Sequence, residues 1–256
     1  MSAAGQQMRR AVAAAAHKSG LLGQYLQTAL QDKALVLMYH RVLDDADDTS
    51  ALDPGMFVKR QSLAGQLALL TERFTLVTID AIGDWLAGRV QYDRPPCALT
   101  FDDGWLDNYT VAFPLLQQYG ATATIFLVTG AIGNGEMMSW AQVDEMERAG
   151  IRFGSHTVTH AELGRCAPDQ IRRELVESRA TLTERLAHPS RWFCFPRGSH
   201  SDTACQMVSE YYDGAVLVEN GYVARGDDAY RLRRIGIHDD VSRTPSLFAW
   251  RLARLL

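Results

Sequence analysis

Two short runs hold residue types that could do chemistry together. Thr100-Phe101-Asp102-Asp103-Gly104 puts two adjacent carboxylates directly behind the apolar run Cys97 to Phe101. Adjacent carboxylates repel each other unless a cation or a shared proton offsets the repulsion. On an extended backbone successive side chains diverge, so the two acids cannot do the same job. Gly104 lets the chain turn sharply beside them. Further on, Gly154-Ser155-His156-Thr157-Val158-Thr159-His160 sets two histidines four apart behind another strand-like run. Residues four apart converge when the chain between them makes one helical turn, and neutral imidazole is a good zinc ligand. One aspartate added to the pair gives the His2Asp set of an open catalytic metal site. Taken singly, Asp-Asp-Gly reads as a surface loop or helix cap, and a lone histidine as a satisfied core or surface residue. Together the two runs point to a metal site.

Such a site needs a frame. Strand-like runs at 34–39, 74–77, 97–101, 123–128, 151–154, 192–195, 215–218 and 230–237 alternate with helix-like stretches at 62–73, 80–86, 108–119, 139–149, 168–187 and 202–212. Continuous apolar strands joined by helices predict a parallel sheet covered on its outside. Seven or so repeats favour an α/β fold built as a single (β/α) barrel, irregular and seven-stranded, with an extra N-terminal helix. Residues 1–33 read as a helical extension and 34–256 as the barrel domain. Chemistry in such barrels lies at the C-terminal ends of the strands. Both motifs lie there, the second behind the next-but-one strand.

Composition narrows the class. The chain has 256 residues, 47% hydrophobic and 22% charged, with a formal net charge of −4. That charge gives no global basic field to attract nucleic acid, and a neutral glycan suits it without being selected by it. Four cysteines (Cys97, Cys166, Cys194, Cys205) include no CxxC pair, so they read neither as a disulfide framework nor as a zinc ribbon. Cys97 and Cys194 fall in apolar runs and read as small core residues. His17 and Lys18 interrupt the Ala13 to Ala16 run before a signal-like core forms, and no run suits a transmembrane helix, so a cytoplasmic location is expected. The amphipathic, basic segment Leu247 to Leu256 reads as a packed terminal helix, with membrane-surface docking as the alternative.

The two motifs together resemble those of the polysaccharide deacetylases, the NodB-homology or carbohydrate esterase family 4 proteins. There a TFDDG-like motif precedes an H-S/T-x-x-H motif. The resemblance covers roughly residues 34–240. It implies that Asp103, His156 and His160 bind a divalent metal, zinc above all, and that Asp102 is the general base. It further implies hydrolysis of an N-acetyl group on an amino sugar. A zinc-bound water has a pKa near ~7, which lets a carboxylate take its proton as it attacks an amide carbonyl.

The leaving amine also needs a proton, and two histidines could supply it. His40 ends the first strand in Met38-Tyr39-His40-Arg41-Val42. This resembles the permuted subgroup that includes poly-N-acetylglucosamine deacetylases, where an early His is the acid. His238, in Arg234-Ile235-Gly236-Ile237-His238, matches a late motif of other members. The resemblance favours His40, projecting into the metal pocket across from Asp102. The third family motif is altered: in Phe193-Cys194-Phe195-Pro196-Arg197-Gly198, Cys194 stands where a base-orienting arginine is expected. Arg234 is the candidate replacement, a surface ion pair its bland alternative. Asp44, Asp45, Asp47 and Asp48 read as a solvated loop at the mouth of the site or a substrate-facing lid. Two other functions stay open: a deformylase or amidase acting on another small N-acyl compound, and a glycan-binding member without turnover.

Overall fold

The computed structural model describes residues 21–254. Of the expected N-terminal extension, Leu21–Ala29 is helix α1, and residues 1–20 lie outside the described residues. The elements then follow as β1 (Lys33–Tyr39), β2 (Arg41–Leu43), β3 (Phe57–Lys59), α2 (Arg60–Arg73), β4 (Thr75–Val77), α3 (Ile79–Leu86) and β5 (Pro96–Asp103). After an irregular turn at Asn108–Ala112 come α4 (Phe113–Gln118), β6 (Thr124–Leu127), α5 (Trp140–Arg148), β7 (Arg152–Ser155) and α6 (Pro168–Arg185). The chain continues through β8 (Trp192–Cys194), α7 (Asp202–Ser209), β9 (Gly214–Asn220), β10 (Val223–Ala224), β11 (Leu232–Gly236), α8 (Asp239–Ser242) and α9 (Pro245–Ala253).

Seven parallel strands close a ring in the order β1-β11-β9-β8-β7-β6-β5, and β5 pairs back to β1 from Leu35↔Cys97 to Tyr39↔Phe101. The expected seven-stranded (β/α) barrel is therefore present. One strand of the sequence pattern stands outside the ring. β4 pairs with the first half of β5 (Thr75↔Pro96 to Val77↔Ala98), while β6 takes the second half of the same edge (Thr100↔Thr124 to Asp103↔Leu127). The eight-residue β5 is long enough to carry two short neighbours in succession. β2 and β3 form a separate two-stranded parallel sheet that no periodicity announced.

Period-two alternation sorts the strands' side chains into two layers. Ala34, Val36, Ala98, Phe126, Trp192, Cys194, Val216 and Leu232 fill the barrel's inside. Leu35, Leu37, Tyr39, Cys97, Leu99 and Phe101 face out and pack under the helices. Gly154 belongs to the inner layer for a steric reason: a Cβ there would stand 2.5 Å from the Phe126 ring and 2.8 Å from the Trp192 carbonyl oxygen. The C-terminal segment is the packed helix of the first alternative: Phe248, Ala249 and Leu252 are buried in the cluster that holds Leu22 and Leu26 of α1. Among the described residues, no helix is long and apolar enough to cross a membrane.

Candidate active site

Both motifs end at the same rim of the barrel. β5 is buried along its whole length, and its inward positions Thr100 and Asp102 point the same way, two residues apart. Asp103 then leaves the strand with φ 78°, and Gly104 follows with φ 89°. Two consecutive left-handed residues turn the second carboxylate away from the first. Gly104 also admits no side chain: a Cβ would lie 2.8 Å from Leu127 Cδ2. The sequence expectation of two acids with separate surroundings describes what is seen.

Asp103 Oδ1 stands 3.5 Å from His156 Nε2 and 3.5 Å from His160 Nε2. The three residues offer ligand atoms that all lie within 4.8 Å of one another. Two tetrahedral ligands at zinc-bond lengths of 2.0–2.2 Å lie about 3.4 Å apart, so the spacing fits a divalent cation. The tautomer fits as well. His156 Nδ1 lies 2.8 Å from the Cys194 carbonyl oxygen, so it carries the hydrogen and leaves Nε2 free as a ligand. Burial lowers the His156 pKa, against the opposing pull of Asp102 and Asp103, which keeps the ring neutral. The other carboxylate oxygen of Asp103 accepts the Trp105 indole N–H at 2.9 Å. Asp102, His156 and Cys194 also cluster. Burial pushes the Cys194 thiol well up, however, and Asp102 has a fixed partner, so this second group suits a cation poorly.

The expected helical turn between the two histidines is not there. Residues 156–160 form an irregular loop, with Thr157 at φ 68° and His160 at φ 61°. The rings nonetheless meet, with centroids 4.9 Å apart. The loop converges because its backbone is bonded to the turn after β6 and to α6: Thr129 N–H donates to Thr157 O, Gly130 N–H to Val158 O, and Val158 and Thr159 N–H to Glu174.

Arg234 occupies the barrel interior, with no solvent exposure. Its NH1 donates to Asp102 Oδ1 and its NH2 to Asp102 Oδ2, each at 2.7 Å. NH1 also reaches Thr100 Oγ1 (3.0 Å), NH2 reaches Cys194 Sγ (3.2 Å), and Nε donates to the Leu217 carbonyl (2.7 Å). The guanidinium on Asp102 thus comes from β11 instead of the altered third motif, with Cys194 beside it. Burial alone would raise the Asp102 pKa, but the charge and bonds of Arg234 hold it well below the usual carboxylate range.

His40 Nε2 lies 3.9 Å from Asp102 Oδ2. It stands beside Asp102, a correction to the expected position across the pocket. His238 sits at the N-terminus of α8, where Asp240, Arg251, Asp53 and Asp239 are the charges that act on it, and burial lowers its pKa. Its Nδ1 has no hydrogen-bond partner among the described residues. His188 pairs with Glu147, and His200 with the Gly198 carbonyl. Arg197 is an exposed residue near Glu162. The acidic run is an ordered surface loop: Lys59 Nζ donates to the carbonyls of Asp44 and Asp47, and Asp44 N–H to the Asp47 carboxylate.

Several residues of the site carried no motif. Asn108 Nδ2 donates to the His40 carbonyl at 2.8 Å, and Asp107 accepts Val42 N–H and Arg41 Nε. The loop after β5 therefore clips the chain at the His40 carbonyl and over the next two residues. Arg41 lies 4.5 Å over the Trp105 ring, joining that clip to the indole that holds Asp103. Glu174 had one signal in the sequence: it falls on the apolar stripe of α6 with Ile171, Leu175 and Leu182, where an unpaired charge is costly.

Known proteins share the fold and parts of the sequence. A model of the family described as polysaccharide deacetylase matches residues 89–212. YxkH of Bacillus subtilis (strain 168), which bears a polysaccharide deacetylase name, is 32% identical over 155 residues, 59% of this chain and 56% of its own length. The poly-beta-1,6-N-acetyl-D-glucosamine N-deacetylase of Staphylococcus aureus is 27% identical over 158 residues, 56% of this chain and 54% of its own. The chain thus spans about half the length of the curated relatives it matches. Among solved structures, the Streptococcus pyogenes deacetylase PplD, in complex with acetate, superposes with a TM-score of 0.80 at 25% identity, over 86% of this chain and 98% of that one. IcaB from Ammonifex degensii gives 0.75 at 26%, over 85% and 97%. A barrel shared over most of its length, with the family model lying across both motifs, places residues 89–212 of this chain within the polysaccharide deacetylase family.

Proposed function

We propose that the chain is a metal-dependent hydrolase that removes an N-acetyl group from an amino sugar in a polysaccharide or glycan precursor. The observation that carries the reading is the single oxygen of Asp103 set 3.5 Å from the Nε2 atoms of both His156 and His160, on the rim where barrel enzymes do chemistry. A divalent cation held there, zinc by its ligand set, supplies Lewis-acid polarisation of an acyl oxygen and acidifies water.

The chain's own residues handle the protons. Asp102, kept ionised by Arg234, is always available to accept a hydrogen bond from the attacking water and to take its proton. The Arg234 fork fixes both oxygens, so the carboxylate cannot swing towards the cation site and add a second carboxylate ligand beside Asp103. Its weak basicity makes it a brief holder of that proton. His40, with Nε2 3.9 Å from Asp102 Oδ2, gives a proton to the leaving nitrogen. Taker and giver stand side by side, and the clip of Asp107 and Asn108 fixes the backbone at His40. The S. aureus relative is named for poly-beta-1,6-N-acetyl-D-glucosamine, which supports an N-acetylhexosamine polymer as the substrate class.

The test is release of acetate from N-acetylglucosamine oligomers and of formate from N-formyl amino sugars, with zinc-loaded protein. Acetate release that disappears in Asp103→Ala supports the reading. Formate release alone replaces it with the deformylase, and binding of oligomers without release of either acid replaces it with a glycan-binding role.

A further inference from the structure

The loop that carries both histidines is strained and is held from outside the pocket. Thr157 and His160 sit at φ 68° and 61°, a region that residues with a Cβ occupy only at a cost. Such a loop keeps one shape only if its surroundings over-determine it. Helix α6 does this. Glu174 Oε2 accepts Val158 N–H at 2.8 Å and Thr159 N–H at 3.0 Å, and Oε1 accepts the Thr159 hydroxyl at 2.6 Å. One turn further, Ser178 accepts the Ser155 hydroxyl at 2.9 Å, and that Ser155 oxygen in turn accepts Thr157 N–H at 3.3 Å. The two α6 residues thus grip the backbone on both sides of His156 and up to the residue before His160.

Glu174 is 7% exposed and touches none of the three ligand side chains. The proton transfers proposed above do not use it. Burying its carboxylate is unfavourable unless donors surround it, and its three donors all belong to Val158 and Thr159, the two residues between the left-handed Thr157 and His160. We propose that Glu174 is a positioning residue that pre-forms the two-histidine half of the cation site, so that its loss weakens metal binding itself. The inference rests on the metal-site reading of Asp103, His156 and His160.

The test measures zinc affinity at fixed pH, using a chelator of known affinity as competitor, for the full-length wild type, Glu174→Ala and Glu174→Gln. Loss of an outer partner that orients ligands costs about 10–100-fold in affinity, and Glu174→Ala should show a loss of that size. Glu174→Gln should stay near wild type. Its amide oxygen can take the two N–H groups while its NH2 donates to the Thr159 hydroxyl. Cobalt(II) in place of zinc gives a second readout, since its visible bands report ligand geometry: they should broaden or shift in Glu174→Ala and be restored in Glu174→Gln. Should the alanine variant fail to fold, Glu174→Asp, too short to reach all three donors, should show the same loss. Wild-type affinity and an unchanged cobalt spectrum in the alanine or aspartate variant overturn the proposal and leave the metal site standing. A wild type that takes up no zinc overturns the metal-site reading instead.

Discussion

Arg234 meets Asp102 fork to fork, one guanidinium nitrogen on each carboxylate oxygen at 2.7 Å, with no exposure of the arginine to solvent. Removing one member of such a buried pair leaves the other charged and alone. Arg234→Met should destabilise the protein by about 3–5 kcal/mol, read from urea unfolding. Arg234→Met combined with Asp102→Asn should cost less than the sum of the two single changes, because the double variant buries no lone charge. Simple additivity would show that the pair is not coupled.

The same pair sets an acid limb on stability. Asp102 is held well below the usual range because Arg234 outweighs the opposing effect of burial. A carboxyl whose folded pKa is depressed contributes stability above its unfolded value of about 3.9 and loses it as pH falls towards the folded value. Unfolding free energy should therefore drop between about pH 5 and pH 2 more steeply in the wild type than in Asp102→Asn. Parallel curves for the two proteins would refute this.

Ligands and base should separate cleanly. Asp103→Ala and His156→Ala should each abolish stoichiometric zinc by elemental analysis. Asp102→Asn should retain zinc and lose turnover. If zinc falls together with activity in Asp102→Asn, the roles of the two neighbouring aspartates are reversed.

The acid assignment is decided by two alanine variants. His40→Ala should lower kcat by about 10²–10⁴-fold with zinc retained, the usual share of general acid catalysis. His238→Ala should change kcat little, since its charged surroundings are Asp239, Asp240, Asp53 and Arg251. A dead His238→Ala beside a near-normal His40→Ala would move the role to the late histidine.

What could be read from the residues, and what could not, follows from contact range. The barrel strands were legible because buried parallel strands must be apolar throughout. The site's outline was legible because Asp102-Asp103 and His156 with His160 are short-range patterns at strand ends. Arg234 was legible only as a vacancy to be filled, since Cys194 stood in the arginine's expected place. Asn108 and Glu174 act through backbone groups of His40 and of Val158 and Thr159, and no side-chain pattern records a bond to a distant N–H or carbonyl. The helical turn assumed for His156 to His160 failed because four-residue spacing does not separate one turn of helix from a loop bent by two left-handed residues. β4 misled differently: its pattern is that of a barrel strand, and only the length of β5 shows that it shares an edge with β6.

The closing of the ring at β1 has a consequence for how the protein is made. All three proposed cation ligands, together with Glu174, lie within residues 103–174, inside the stretch matched by the family model. His40 arrives on the first barrel strand and Arg234 on the last, and those two strands pair with each other at Leu37↔Ile235 and Met38↔Gly236. On a ribosome, the stretch that carries the proposed cation site is complete while Asp102 still lacks its guanidinium and β1 has not yet met β11. The proton-handling half of the site is thus assembled by the longest-range pairing in the fold, and such pairings form slowly because a long loop must close first. A nascent chain that has not yet made β11 has every residue of the proposed cation site but not the guanidinium that meets Asp102.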